Sequence, residues 1–290
     1  MTGLPMLAAG PWQMSFGERA ALEGVVAQLQ PRLAVEIGTA EGGSLRRIAA
    51  HSEEVHSFDL VPPDPGLASI ENAHFHTGDS HELLPRFLAE LDASGRTVDF
   101  ALVDGDHTAD GARRDILDLL GSAAVSSTVI LAHDTMNDEV REGLESVDYA
   151  SYEKVALVEL DFLSGYLARA EPYRLQLWGG LGLIVVDDAS GAGVIRDRRF
   201  HSLLSLVRPM RDVMVEVERS GSRLDEAAPA EVEEQLRESI VRAQREADDL
   251  RVALERCRAV MQDLQGSASW RLTAPLRSAK RARQQWRARP

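Results

Sequence analysis

Apolar positions between residues 16 and 30 (Ala20, Leu22, Val26 and Leu29) recur at helical spacing, and Pro31 ends the run. Beyond it the pattern changes. Short apolar runs at 33–37, 55–59, 73–77, 98–103 and 128–132 alternate with helical stretches at 44–50, 80–93, 109–120 and 138–147. Such alternation predicts a parallel sheet covered by helices on both faces. Two more extended runs, 155–163 and 175–186, are joined by a short Tyr/Arg/Pro-containing connection and predict an antiparallel pair at the sheet edge. The expected fold is therefore α/β, a doubly wound, mostly parallel seven-stranded sheet. Five parallel strands closed by an antiparallel pair differ from the symmetric dinucleotide-binding fold.

After Val186 the character changes, first to a Gly/Asp/Ala-rich boundary and then to a helix predicted at 200–217. Further on, Leu236, Ile240, Ala243, Ala247, Leu250, Leu254, Cys257, Met261 and Leu264 alternate spacings of four and three. That is the heptad seam of a left-handed α-helical coiled coil; a single amphipathic helix lying on its own domain is the plainer alternative. The predicted plan is an N-terminal helical segment at 1–30, the sheet domain at 31–190 and a helix and linker at 191–225. A coiled coil at 226–265 and a basic tail at 266–290 complete it.

Composition refines this picture. A net charge of −14 argues against wholesale nucleic-acid binding by the main body. The tail runs the other way, with Arg271, Arg277, Lys280, Arg281, Arg283, Arg287 and Arg289 and no acidic residue. One cysteine, Cys257, rules out an intrachain disulfide and fits a reducing compartment. With no secretory signal pattern and no apolar run near the roughly 18 residues that span a bilayer, the expected location is cytoplasmic.

Candidate chemistry gathers at the predicted strand ends. The first is Val35-Glu-Ile-Gly-Thr-Ala-Glu-Gly-Gly-Ser44, a strand running into a glycine-rich turn that opens a helix. Such a turn lets backbone approach a ligand closely. Two cofactor classes compete for it. Gly38-x-Ala40-x-x-Gly43 nearly matches the dinucleotide fingerprint, but Ala40 stands where glycine admits a pyrophosphate. Glu36 and Glu41 would also repel a dianion. S-adenosylmethionine meets neither objection, since its sulfonium half carries no phosphate and its ammonium welcomes Glu36. Gly38, Thr39, Ala40, Gly42 and Ser44 would then contact the cofactor. Asp59, about twenty residues on, stands where a carboxylate accepts ribose hydroxyls. Asp79 could accept the adenine amino group, and Ser80 could contact the cofactor or cap the next helix; a helix cap alone is the plainer reading of the pair.

Two further clusters follow the fourth and fifth strands, Val103-Asp-Gly-Asp-His107 and Ala132-His-Asp-Thr135. In an open α/β sheet the ligand crevice lies at these carboxyl ends. Asp104, His133 and Asp134 form a candidate oxygen/nitrogen site for Mg²⁺ or another divalent cation. Simple strand termination and helix capping is the alternative. Together, Val35-Glu-Ile-Gly-Thr with Gly42-Gly-Ser, Val103-Asp-Gly-Asp-His with Arg113-Arg-Asp, His133-Asp-Thr and Trp178-Gly-Gly-Leu-Gly-Leu resemble the class I S-adenosylmethionine-dependent methyltransferases. The resemblance is to the macrocin O-methyltransferase-like or cephalosporin-hydroxylase-like bacterial branch, over residues 31–187. It implies a Rossmann-like methyltransferase fold, cofactor contacts at Glu36, Gly38 and Asp59, a metal at Asp104 and Asp134, and His107 as general base. His133-Asp134 departs from the paired acidic or Asp-Asn ending common in metal-dependent relatives, which leaves metal-assisted and histidine-assisted deprotonation both open.

Ser267-Ala-Ser-Trp-Arg-Leu-Thr-Ala-Pro-Leu-Arg277 resembles a segment near the ends of bacterial polysaccharide-assembly proteins. Trp270, Leu272, Leu276 and Trp286 among arginines suit an anionic membrane surface or an acidic partner. The resulting expectation is O-methylation of a sugar hydroxyl on a surface glycan or glycosylated metabolite, with Asp104 and His107 at the reaction. Self-association through the coiled coil, and peripheral contact with the inner face of the membrane, complete the expectation; nucleic acid is not expected as a partner. The competing reading is a coiled-coil scaffold or length-setting protein of glycan assembly whose sheet domain binds cofactor without turnover.

Overall fold

The structure, a computed structural model, describes residues 12–188 and 204–219. The elements run α1 (Phe16–Leu29), β1 (Leu33–Ile37), α2 (Gly43–His51), β2 (Glu54–Asp59), β3 (Ala73–Thr77) and α3 (Ser80–Ser94). There follow β4 (Phe100–Val103), α4 (Ala109–Gly121), β5 (Ser127–His133), α5 (Asp138–Glu145) and β6 (Val155–Leu163). β7 (Tyr166–Leu167), β8 (Leu177–Trp178), β9 (Leu181–Asp187) and α6 (Leu204–Arg219) complete the described chain.

The main sheet has seven strands in the order β3-β2-β1-β4-β5-β9-β6. β1 to β5 are parallel to one another, and β9 lies between β5 and β6, antiparallel to both. The doubly wound, mostly parallel sheet and its terminal antiparallel pair thus stand as expected. Order reverses between β1 and β4, which opens a crevice at their carboxyl ends.

Strands buried on both faces read as continuous apolar runs, and β1 is buried at all five positions. Its two faces feed two cores. Leu33, Val35 and Ile37 pack with Leu84 and Leu88 of α3, Ile116 and Leu119 of α4, and Val140 and Leu144 of α5. On the other side, Ala34 packs with Leu22 and Val26 of α1 and Leu45 and Ile48 of α2. Helix starts follow local chemistry: Ser15 and Glu18 form a reciprocal capping box on α1, and Thr108 and Asn137 cap α4 and α5.

Two expectations need correction. The run at 175–186 is not one strand. Gly179 and Gly180, at φ 73° and 88°, break it into β8 and β9, and β8 pairs with β7 in a separate two-stranded sheet. The fourth strand begins at Phe100 rather than at 98. The described part of the helix predicted at 200–217 is α6. The chain divides into two compact units, Met1–Val215 and Glu216–Pro290. The boundary at 189–203, the heptad seam and the basic tail lie outside the described residues. No helix among the described residues is long and apolar enough to cross a membrane.

Candidate functional site

The turn after β1 is shaped by positive backbone angles at Gly38 (φ 93°), Ala40 (φ 43°) and Gly42 (φ 73°). At Gly38 the need for glycine is absolute, because a Cβ would lie 2.0 Å from the Asp104 carbonyl oxygen. The same approach brings the turns after β1 and β4 together. Asp59 pins the turn from the next strand: its Oδ2 accepts from the Thr39 and Ala40 amides, each at 2.9 Å. Its Oδ1 accepts from Val61 N–H at 2.8 Å.

Glu36 departs from its expected role. It is fully buried, and its carboxyl group is held by Ser44 Oγ at 2.7 Å and Ser57 Oγ at 2.5 Å. Ser57 Oγ in turn lies 2.6 Å from Thr39 Oγ1. Burial pushes the Glu36 carboxyl up to about 8, against the lowering effect of the two serines and with help from Asp104 and Asp59. A protonated side chain behind the turn braces it from below and offers the cavity no charge. Ser44 serves the same brace. Asp79, not Ser80, caps α3, its Oδ1 accepting from His81 N–H at 2.9 Å.

The ends of β4 and β5 bring the second group together. His133 Nδ1 lies 2.9 Å from Asp104 Oδ1 and 3.4 Å from Asp134 Oδ2. His107 Nε2 lies 2.9 Å from Asp134 Oδ2 and 3.7 Å from Asp104 Oδ1. Asp134 takes a left-handed backbone angle, φ 55°, rare for a residue with a side chain and frequent where function demands it. Its Oδ1 accepts from Gly179 N–H at 2.5 Å.

Electrostatics follow from this packing. The bonds to Asp104 and then Asp134 raise His107 to about 10, burial opposing. His133 is also raised, its burial penalty outweighed by Asp104, Asp134 and Glu18. Burial works to raise Asp134, yet His107, His133 and the Gly179 amide hold it well below the usual carboxylate range. These shifts favour the protonated form of both imidazoles. His107, expected as the general base, faces Asp134 Oδ2 through Nε2. The donor atoms of Asp104, His133 and Asp134 all lie within 4.8 Å of one another, so this set could hold a divalent cation once the proton on His133 is displaced.

The residue that sequence reasoning missed is Glu18. Fully buried on α1, it places Oε1 2.5 Å from Gly180 N–H and 3.5 Å from His133 Nε2. Burial tends to raise its pKa, but the bonds from His133 and Ser15 win and lower it. Its capping-box spacing from Ser15 was visible in the sequence; its reach across the sheet was not. Trp12, Tyr166, Tyr173 and Trp178 were missed as an aromatic wall as well. Trp178 sets its ring edge-on to His107 at 5.5 Å, and Tyr173 packs on Trp178 at 5.3 Å.

One cavity of about 350 Å³ joins these parts. Gly38, Thr39, Ala40, Gly42, Ser44, Asp59, Asp104, His107, His133 and Asp134 line it together with the aromatic wall. A neighbouring cavity of about 450 Å³ is lined by Asp59, Asp79, Ser80, His81 and Asp106. Of the candidate cofactor, catalytic and metal residues, Glu36 alone lines neither.

Several solved structures are similar to this chain. Among solved structures, an O-methyltransferase from Bacillus cereus in complex with SAH shares 16% identity over 61% of this chain and 84% of its own, with a TM-score of 0.43. The O-methyltransferase TomG from Streptomyces achromogenes, involved in tomaymycin synthesis and solved with SAM, shares 17% over 60% and 81%, at 0.42. An rRNA methylase from Streptococcus thermophilus shares 17% over 62% and 99%, at 0.38. Likeness at this level carries no chemistry across. A comparison with curated proteins finds no match. Residues 35–135, from β1 to the turn after β5, match the family model described as a methyltransferase domain.

Proposed function

We propose that the chain transfers the methyl group of S-adenosylmethionine to a hydroxyl, on a sugar of a surface glycan or glycosylated metabolite. One observation carries this reading: the glycine turn pinned by Asp59 and the Asp104–His107–His133–Asp134 cluster line the same cavity. The turn and Asp59 would bind the cofactor's methionine and ribose, and Asp79 and Ser80, lining the neighbouring cavity, would take its adenine.

In-line displacement needs the acceptor oxygen aligned with the methyl group, so positioning supplies much of the rate. Trp12, Tyr166, Tyr173 and Trp178 offer flat apolar faces against which the C–H face of a sugar ring packs. As the methyl group arrives, positive charge grows on the acceptor oxygen and its proton becomes strongly acidic. A carboxylate of low basicity, Asp104 or Asp134, is then enough to take it, with His107 orienting Asp134. A divalent cation held by Asp104, His133 and Asp134 would lower the pKa of the hydroxyl directly. The coiled coil would make the enzyme oligomeric, and the basic tail would bring it to an anionic surface or acidic partner.

Calorimetric titration with S-adenosylmethionine, beside NAD and an Asp59→Ala control, tests the cofactor. Micromolar S-adenosylmethionine binding that weakens at least ~10-fold in Asp59→Ala is expected, since the substitution frees two turn amides and removes the ribose acceptor. Binding of NAD alone by a folded sample would overturn the reading and favour a nicotinamide enzyme.

A further inference from the structure

A second group of ligating side chains lies at the other end of the sheet. Glu54 and His56 are two residues apart on β2 and so share a face. His56 is directly opposite His74 on the edge strand β3, and His76 follows on the same face opposite Phe58. His56 Nε2 is 2.7 Å from Glu54 Oε1, and His74 Nε2 is 3.7 Å from the same oxygen. The ligand atoms of Glu54, His56 and His74 all fall within 4.8 Å of one another. Among the described residues, this and the Asp104 cluster are the two groupings so arranged.

We propose that Glu54, His56 and His74 form a binding site for a divalent transition ion of the Zn²⁺ class, clamping β2 to β3 at their amino ends. Two imidazole nitrogens and one carboxylate oxygen are the donor set such an ion prefers over Mg²⁺ or Ca²⁺. In a tetrahedral site with bonds near 2 Å, neighbouring donors stand about 3.3 Å apart, close to the spacings already present. Water completes the shell. The ion takes the place of the proton between His56 Nε2 and Glu54 Oε1.

Two neighbours support the ligands. His76 Nε2 lies 2.9 Å from His56 Nδ1, so the ring turns Nε2 toward Glu54 and, with an ion bound, donates from Nδ1 to His76. Arg96 pairs with the other Glu54 oxygen, Oε2, and aims Oε1 at the imidazoles. Its charge opposes a second cation. The packing of His56 against Phe87 at 4.2 Å and of His76 against Phe58 at 4.3 Å fixes the rings in place. The site bridges the outermost parallel pair, where an edge strand gains most from a cross-link.

Zn²⁺ titration of the chelator-treated full chain tests this, with His74→Ala, His76→Ala and Asp134→Asn run beside it. The His74 side chain is 53% exposed, so its removal leaves the fold intact; circular dichroism verifies this. Wild type should bind Zn²⁺ and melt at a higher temperature with it. Affinity should fall at least ~10-fold in His74→Ala and ~10- to 100-fold in His76→Ala. Asp134→Asn should keep this binding event. Equal affinity of wild type and His74→Ala, or loss of all binding in Asp134→Asn alone, would overturn the proposal.

Discussion

Glu36 shows how a single residue changes meaning with its surroundings. Its carboxyl stays protonated up to about 8 because burial penalises the charge and the two serines only partly compensate. An unfolded chain releases that proton above its ordinary 4.5. Between these two values the folded state holds one more proton than the unfolded state, so stability falls as pH rises from about 5 to 8. The contribution of this one group approaches tenfold in the folding equilibrium per pH unit. Glu36→Gln, which stays neutral and keeps hydrogen-bonding capacity for Ser44 and Ser57, should flatten that slope. Denaturant unfolding of both proteins at pH 5, 6.5 and 8 measures it. Parallel curves would mean that Glu36 is ionised in the folded protein.

At the scale of elements, the connection between α1 and the β8–β9 turn decides the shape of the site. Glu18 caps its own helix through Ser15 and reaches the Gly180 amide and His133. Glu18→Ala leaves a buried amide and a charged imidazole without their partner. The expected loss is about 3–5 kcal/mol of folding stability, read from denaturant midpoints, with Glu18→Gln losing distinctly less. Equal stability of wild type and Glu18→Ala would show that this bridge contributes nothing. The elements themselves were largely legible. The alternation of period and the cap residues marked β1 to β5 and α1 to α5 within a few residues, because those signals are local. The Gly179-Gly180 break was not legible as a break. Two glycines in an apolar run fit a strand as well as a turn, until Asp134 and Glu18 take their amides.

For the whole molecule, the heptad run over 236–264 makes a prediction that the sheet domain does not. If it is a coiled coil, the full chain is oligomeric and replacing Leu250 and Leu254 by Asp yields monomers, because charges in a seam cannot be buried unpaired. Sedimentation equilibrium checks the mass of both. A wild-type chain that is already monomeric would assign the run to a helix packed on its own protein.

What the sequence alone determined is whatever depends on neighbours along the chain. It marked the strand–helix alternation, the glycine turn with Asp59 at the end of the next strand, and the two acid–histidine pairs at strand ends. Residues 35–135 match a methyltransferase domain for the same reason, since these features are colinear. The tertiary structure decided what depends on convergence. It buried Glu36 behind the turn as a brace, set His107 against Asp134, and brought Glu18 from the first helix to the far strand pair. It also brought Trp12 to the same cavity as Tyr166, Tyr173 and Trp178, which lie far along the chain from it. Burial and the pairing of charges set these roles, and both are properties of the surroundings that folding assembles.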